Sequence, residues 1–303
     1  MFAWVAVPAL VLLLAGPAMA QSVPAGTFDK IRQAGAIVLG VREASYPLSY
    51  FDASGRPIGY HLDICRRVVD AVKTRLDMAD LAVRTVLVTS QSRIARVVDG
   101  GIDLECGSTT NNAARQRQVA FAPTTYVASV RVAVKRSAGI TSLSQLDGKT
   151  VVTTTGSTSV ELLKARQIGR RFAIREVRGD DHAQSFHLLE TGQADAFVMD
   201  DNLLAGLIAA SASPNDYAIV GEALSVEPIA IMLRRDDPAF KAVVDETVKA
   251  MMKNGEIGRL YAKWFMSPIP PRDINLGFPM GAVLSGLIHY PSDDPVEAFR
   301  PSE

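Results

Sequence analysis

The stretch ECGSTTNNAARQRQ, residues 105–118, follows directly on the run Gly101-Ile102-Asp103-Leu104 and leads into Arg115 and Arg117. A strand that ends in hydroxyls, amides and a cation has two readings. Strand ends are places where a small polar ligand meets backbone N–H groups, short donors and a fixed charge together. Alternatively, Ser108 to Asn112 form a turn and a helix cap, which the same composition suits equally well. On this stretch alone both readings stand.

The chain around it has 303 residues, 48% hydrophobic and 21% charged, enough for a full core and for two domains. Its 32 basic and 32 acidic residues leave no net field to recruit nucleic acid or an anionic membrane, so charge acts locally. The first twenty residues, MFAWVAVPALVLLLAGPAMA, carry no charged side chain and end in Ala18-Met19-Ala20. An apolar core before a small-x-small site predicts a signal peptide over 1–20, cleaved after Ala20, although no Lys or Arg precedes the core. An uncleaved anchor is the rival, but Pro8, Gly16 and Pro17 interrupt a span already short for a bilayer. Two cysteines, Cys65 and Cys106, suit one disulfide in an oxidising compartment or two buried free thiols. Two thiols alone make no four-ligand zinc site.

Apolar runs at 37–41, 85–88, 102–106, 130–134, 150–154, 172–177, 195–199 and 229–233 read as strands. Between the first two, Leu62, Cys65, Val69, Val72 and Leu76 recur at helical spacing. DDPAFKAVVDETVKAMMKNG and EIGRLYAKWF read as late helices with a break at Gly255. The alternation predicts an α/β architecture with largely parallel sheets. One unit recurs. RIARVVDGGIDLECGS and SFHLLETGQADAFVMDD both run helix, Gly, Asp, strand, polar tip. ECGSTT and TTTGSTS (153–159) each place Gly-Ser-Thr at a strand end, which suggests two lobes with matching faces. The weakly patterned chain over 281–303 reads as a loosely held tail.

No phosphate-cradling Gly motif and no G-x-S-x-G elbow is present. The four His residues are scattered, and His182 and His187 lie five apart, off a shared helix face, so no metal site is expected. Cations near strand ends remain. Arg42 follows 37–41, Arg93 sits in TSQSR after 85–88, and Arg115 follows the opening stretch. Parallel strands deliver such residues to one edge, where guanidinium forks match carboxylates. Asp200, just past 195–199, is the anion an ammonium group needs, or else the N-cap of a helix over NLLAG. Each Arg alone reads equally as a solvated surface charge.

The blocks VREASYPLSYFD, TSQSRI, DLECGSTTNNAARQRQVAF, LDGKTVVTTTGSTSVELL, DDHAQSF, FVMDDNLLAG, MLRRDDPAF and WFMSPIPP, in order from about residue 27 to 276, resemble the family 3 solute-binding proteins of ATP-binding-cassette importers. The likeness is to the branch that binds glutamate and aspartate. It implies a two-lobe periplasmic binding protein fold of type II, two α/β lobes joined by two crossovers. Lobe 1 would be 27–128 with 225–276, lobe 2 would be 129–224, and 277–303 a C-terminal tail.

The same resemblance implies an exported, periplasmic, monomeric, non-enzymatic protein without cofactor or metal. Its partners would be L-glutamate or L-aspartate and a membrane permease. Carried over residue by residue, Arg115, Thr110 and Thr158 would hold the ligand α-carboxylate, Asp200 and Ser108 the α-ammonium, and Arg42, Ser90, Arg93 and His182 the side-chain carboxylate. Val41, Pro228 and Ile231 depart from the family pattern and put fine specificity in question. Three Arg and one Asp complement two carboxylates and one ammonium with some positive excess, whereas an amide ligand would leave Arg42 and Arg93 under-satisfied. The rivals are a periplasmic dehydratase of the same fold, with Glu105 or His182 as acid or base, and a binder of another acidic or polar amino acid.

Overall fold

A computed structural model describes residues 26–170 and 173–299; the expected signal peptide lies outside the described residues. Two sheets dominate. The first runs Ala82–Leu87, Ala36–Val41, Leu104–Glu105, Met232–Arg234 and Val119–Phe121 in spatial order. The second runs Arg175–Gly179, Thr150–Thr154, Ala196–Asp200, Tyr126–Lys135 and Tyr217–Val220, with Val226–Ile229 also paired to Tyr126–Lys135. Each sheet is the core of one lobe of a two-lobe binding-protein fold.

Only the first three strands of each sheet are parallel. The remaining strands pair antiparallel, so the sheets are mixed where largely parallel ones were expected. Helical crossovers make parallel neighbours, but the chain changes lobes through extended segments, which pair antiparallel. The run expected as one strand at 229–233 is two for the same reason. Val226–Ile229 lies beside Tyr126–Lys135, and Met232–Arg234 joins the first sheet. Tyr126–Lys135 and Val226–Ile229, paired antiparallel, are therefore the segments by which the chain passes between the two sheets.

The helices follow their apolar spacing. Tyr60–Leu76 buries Leu62, Cys65, Val69, Val72 and Leu76 and ends at Asp77, whose left-handed φ of 54° turns the Met78 N–H back to the Lys73 carbonyl at 3.0 Å. Pro238–Lys253 starts with Pro at its first turn and an Asp237 cap donated to by the Phe240 N–H at 3.1 Å. Gly255, at φ 75°, separates it from Glu256–Phe265. That helix packs Phe265 against Tyr126 (4.7 Å between ring centres) and Tyr261 (4.5 Å), anchoring the start of the first crossover.

Cys65 and Cys106 are bonded, with Cα atoms 6.3 Å apart, so helix Tyr60–Leu76 is tied to the strand that ends at the polar tip. A cross-link over a sequence separation of 41 constrains the unfolded chain by about 4 kcal/mol. The segment 281–299 is not a loose tail. Ala282–His289 is a helix with Leu284 2% exposed, packed near Pro238–Lys253. Beyond it, Thr124 N–H donates to the Ser292 carbonyl at 2.9 Å, Asn111 Nδ2 to the Asp293 carbonyl at 2.7 Å, and Val296 N–H to the Asn111 carbonyl at 2.9 Å. Weak periodicity hid a strap held by its backbone, which side-chain patterning does not reveal. Among the described residues no helix is long and apolar enough to cross a membrane.

Candidate ligand-binding site

Six strand ends build the site, three from each sheet. From the first sheet, Arg42 follows Ala36–Val41, Ser90 and Arg93 follow Ala82–Leu87, and Ser108, Thr110 and Arg115 follow Leu104–Glu105. From the second, Thr158 follows Thr150–Thr154, His182 follows Arg175–Gly179, and Asp200 ends Ala196–Asp200. The parallel registers of the two strand triplets fix this. The lobes touch at Gly156, whose φ is 79°. A Cβ there would stand 2.7 Å from the backbone of Ser90 and Gln91, so the close approach and the left-handed turn both require glycine.

A narrow cavity of about 10 Å³ lies between the lobes, lined by Ser90, Arg93, Ser108, Thr110, Ser157, Thr158, His182, Met199, Asp200 and Leu203. That is room for about one water molecule, so the facing polar groups of the two lobes stand close together. Seven of the nine expected residues line it. The other two stand beside it. Arg42, 2% exposed, lies behind the wall, where its Nη2 donates to Ser90 Oγ at 3.0 Å and its Nη1 to Ser108 Oγ at 3.3 Å. Arg115 flanks the cavity, with Nη1 donating to the Thr110 carbonyl at 2.8 Å and Nη2 to the Gly156 carbonyl across the cleft at 3.2 Å. Arg115 and Thr158 also face a larger, outward-opening groove bordered by Val296 and Phe299 of the C-terminal strap.

Both readings of the opening stretch are partly realised. Asn112 caps the short helix Ala113–Gln116, its Oδ1 accepting from the Arg115 N–H at 2.8 Å, while Ser108 and Thr110 line the cavity. Asp200 sits at a helix N-cap position but makes no side-chain cap bond. Asp201 takes that part, accepting from the Asn202 N–H at 2.8 Å, so the Asp200 carboxylate faces the cavity instead.

The electrostatics are those of charges taken out of water. Burial, then the neighbouring Arg93, lowers the pKa of Arg42 to about 10; the same two causes lower Arg115 to about 9. Burial also lowers Arg93. Asp200 is pushed well up by burial, then by Glu227 and Asp201. His182 is driven well down by burial and by Arg42 and Arg93, so its imidazole is neutral. Its Nδ1 meets Thr154 Oγ1 at 3.0 Å, and its Nε2 has no partner among the described residues. Arg93 Nε and Nη1 are likewise buried without a partner. Unpaired buried donors of this kind are costly unless an acceptor meets them.

Three residues of the site lie outside the ligand-binding set read from the sequence. Glu105, fully buried, accepts from Thr109 Oγ1 at 2.7 Å and lies against the Arg42 stem: a Cβ on Gly107 would strike Glu105 Oε1 and crowd Arg42 Cγ. The sequence offers it only as the acid or base of the rival dehydratase. Glu227, 4% exposed, accepts from Thr158 Oγ1 at 3.2 Å and Ser225 Oγ at 2.5 Å. Together they remove the expected positive excess, since three buried Arg now face three buried carboxylates, Glu105, Asp200 and Glu227. His61, fully buried beneath the tip, meets the Gly107 carbonyl through Nδ1 at 2.5 Å and Thr125 Oγ1 through Nε2 at 2.9 Å. A carbonyl only accepts, so Nδ1 carries the proton; burial lowers the His61 pKa to about 4 and keeps the ring neutral.

The model of the bacterial extracellular solute-binding proteins, family 3, matches residues 37–267. The chain is 44% identical over 286 residues to the L-glutamate/L-aspartate-binding protein of Pseudomonas aeruginosa, covering 94% of each chain. It is 41% identical over 267 residues to the glutamate/aspartate import solute-binding protein of Escherichia coli, covering 88% of each. In three dimensions it is similar to an ABC uptake transporter substrate-binding protein from Streptococcus pneumoniae with bound histidine. There the TM-score is 0.71 at 19% identity, over 80% of this chain and 98% of the other. Two lobes meeting around a buried, charge-lined cavity and a match over most of the chain agree: the protein belongs to the bacterial extracellular solute-binding proteins, family 3.

Proposed function

We propose that this chain captures L-glutamate or L-aspartate between its lobes and delivers it to the permease of an ATP-binding-cassette importer. The observation that carries the ligand class is Arg93, buried beside the neutral His182 with Nε and Nη1 unpartnered. Such a guanidinium edge demands an anion. The cavity is small, and Asp200 on the opposite lobe supplies the acceptor for an ammonium group. The names of the Pseudomonas and Escherichia relatives support the same ligands and an import role.

In this reading Arg115, Thr110 and Thr158 hold the α-carboxylate, Asp200 and Ser108 the α-ammonium, and Arg93, Ser90 and His182 the side-chain carboxylate, with Arg42 acting largely through Ser90 and Ser108. The lobes divide at 128/129 and 224/225. The protein works in the periplasm as a monomer after cleavage at Ala20. It is a binding protein, not a dehydratase, as its curated relatives are. Calorimetric titration of the ligand-stripped protein with the twenty amino acids tests this. Glutamate and aspartate should bind far above the rest, and tightest binding of a neutral or basic amino acid would overturn the ligand.

A further inference from the structure

Thr158 has one hydroxyl proton, and in this structure it goes to Glu227: Oγ1 donates to Glu227 Oε2 at 3.2 Å. The other carboxylate oxygen accepts from Ser225 Oγ at 2.5 Å. Glu227 is 4% exposed and stands on Val226–Ile229, one of the two segments by which the chain passes between the sheets. That segment also holds the loop of the opening stretch. Asn111 N–H donates to the Pro228 carbonyl at 2.8 Å, and Thr110 bridges Ile229. Glu227 thus lies between the Thr110–Arg115 side of the cleft and the Thr158 tip of the other lobe. Its charge favours the Arg115 cation and adds to the upward push of burial on the Asp200 pKa.

We propose that Glu227 is a built-in carboxylate that contests the α-carboxylate subsite and so sets the affinity for the ligand. The inference rests on the reading of Thr158 and Arg115 as that subsite. A ligand carboxylate can take the Thr158 proton only if Glu227 releases it, and it must settle beside a buried charge of its own sign. A transport protein has to give its cargo up, and an internal competitor mounted on the crossover weakens the closed complex at the point where the two lobes share the ligand.

Glu227→Gln tests this. The amide keeps the shape and an acceptor for Ser225, and its N–H₂ donates into a Thr158 lone pair, freeing the threonine proton. Calorimetry should show glutamate binding about tenfold or more tighter than wild type, from relief of like-charge juxtaposition. The α-amide of glutamate, which keeps the ammonium and the distal carboxylate, should gain little. Thr158→Val should weaken glutamate far more in the Glu227→Gln background than alone, since the two side chains share one proton. Unchanged or weaker glutamate binding in folded Glu227→Gln, or an equal gain for the α-amide, overturns the inference while the ligand reading stands. If Thr158→Val changes binding in neither background, Thr158 is outside the site and both fall.

Discussion

Arg115 joins the two lobes through one guanidinium: Nη1 donates to the Thr110 carbonyl of its own side at 2.8 Å, and Nη2 to the Gly156 carbonyl of the facing lobe at 3.2 Å. Both acceptors are neutral, so the cation is buried without a carboxylate at ion-pair distance among the described residues. The nearby anions act on it only through space. Such a charge is poised for an incoming carboxylate, and its bond to Gly156 is made only when the lobes are together.

Arg115→Ala should therefore lose ligand and closure at once. Removing one partner of a buried, hydrogen-bonded charge pair costs about 2–5 kcal/mol. Calorimetry should show affinity for glutamate and aspartate falling at least ~30-fold. Small-angle scattering should show no ligand-induced compaction. Near-wild-type affinity in a folded variant would remove Arg115 from the site.

Asp200 trades stability for binding. Its pKa is raised well above the ordinary 3.8 by burial, then by Glu227 and Asp201. The folded state therefore holds this proton more tightly than the unfolded chain. The stability it contributes is full below the unfolded value and is lost as pH rises through the raised folded value. Asp200→Asn removes that loss, so without ligand the variant should melt above wild type at pH 7, by roughly 2–4 °C per kcal/mol recovered. The gap should shrink as the pH approaches 4. The same variant should lose most of its affinity for glutamate, because the ammonium needs a full carboxylate. A lower melting temperature at pH 7 would show that the ionised Asp200 stabilises the fold.

Much of this site was legible because strand and helix periods place residues at strand ends without reference to contacts. Arg42, Arg93, Arg115, Asp200 and the polar tips that carry Ser108, Thr110 and Thr158 all emerged from that logic, and the resemblance added Ser90 and His182. Glu105 and Glu227 did not, since a lone carboxylate inside an apolar run looks the same whether it braces an arginine or faces water. The split of 229–233 into two strands was hidden too. A continuous apolar run gives no sign that its halves belong to different sheets.

The C-terminal strap was misread for a related reason, and it makes its own prediction. Asn111 Nδ2 and Gln116 Nε2 both donate to the Asp293 carbonyl, at 2.7 and 2.9 Å, and Glu297 Oε2 accepts from the Ala113 N–H at 3.0 Å. These bonds hold the segment that carries Arg115. Ending the chain at Tyr290 should weaken glutamate binding by about tenfold, the loss of one to two net hydrogen bonds' worth of ordering. Amide exchange over 111–118 should rise while the second sheet stays protected. Unchanged exchange and affinity would make the strap ornamental to the site.

Arg93 decides between an acidic-amino-acid binder and a general one. It is 2% exposed and lines the cavity with Nε and Nη1 unpartnered, and His182 Nε2 is unpartnered in the same cavity. A distal carboxylate satisfies the guanidinium edge, whereas an amide brings N–H groups toward N–H groups. Mismatches of this kind give discrimination of roughly 10⁴-fold. Wild-type protein should prefer glutamate over glutamine, and aspartate over asparagine, by a factor of that order. Arg93→Met removes the cation but keeps much of the stem's volume. Glutamate should then weaken far more than glutamine, and the preference should collapse by orders of magnitude. If both ligands weaken equally, Arg93 holds the wall and reads nothing. If wild-type protein binds glutamine as tightly as glutamate, the unpartnered edge is met by something other than a ligand carboxylate.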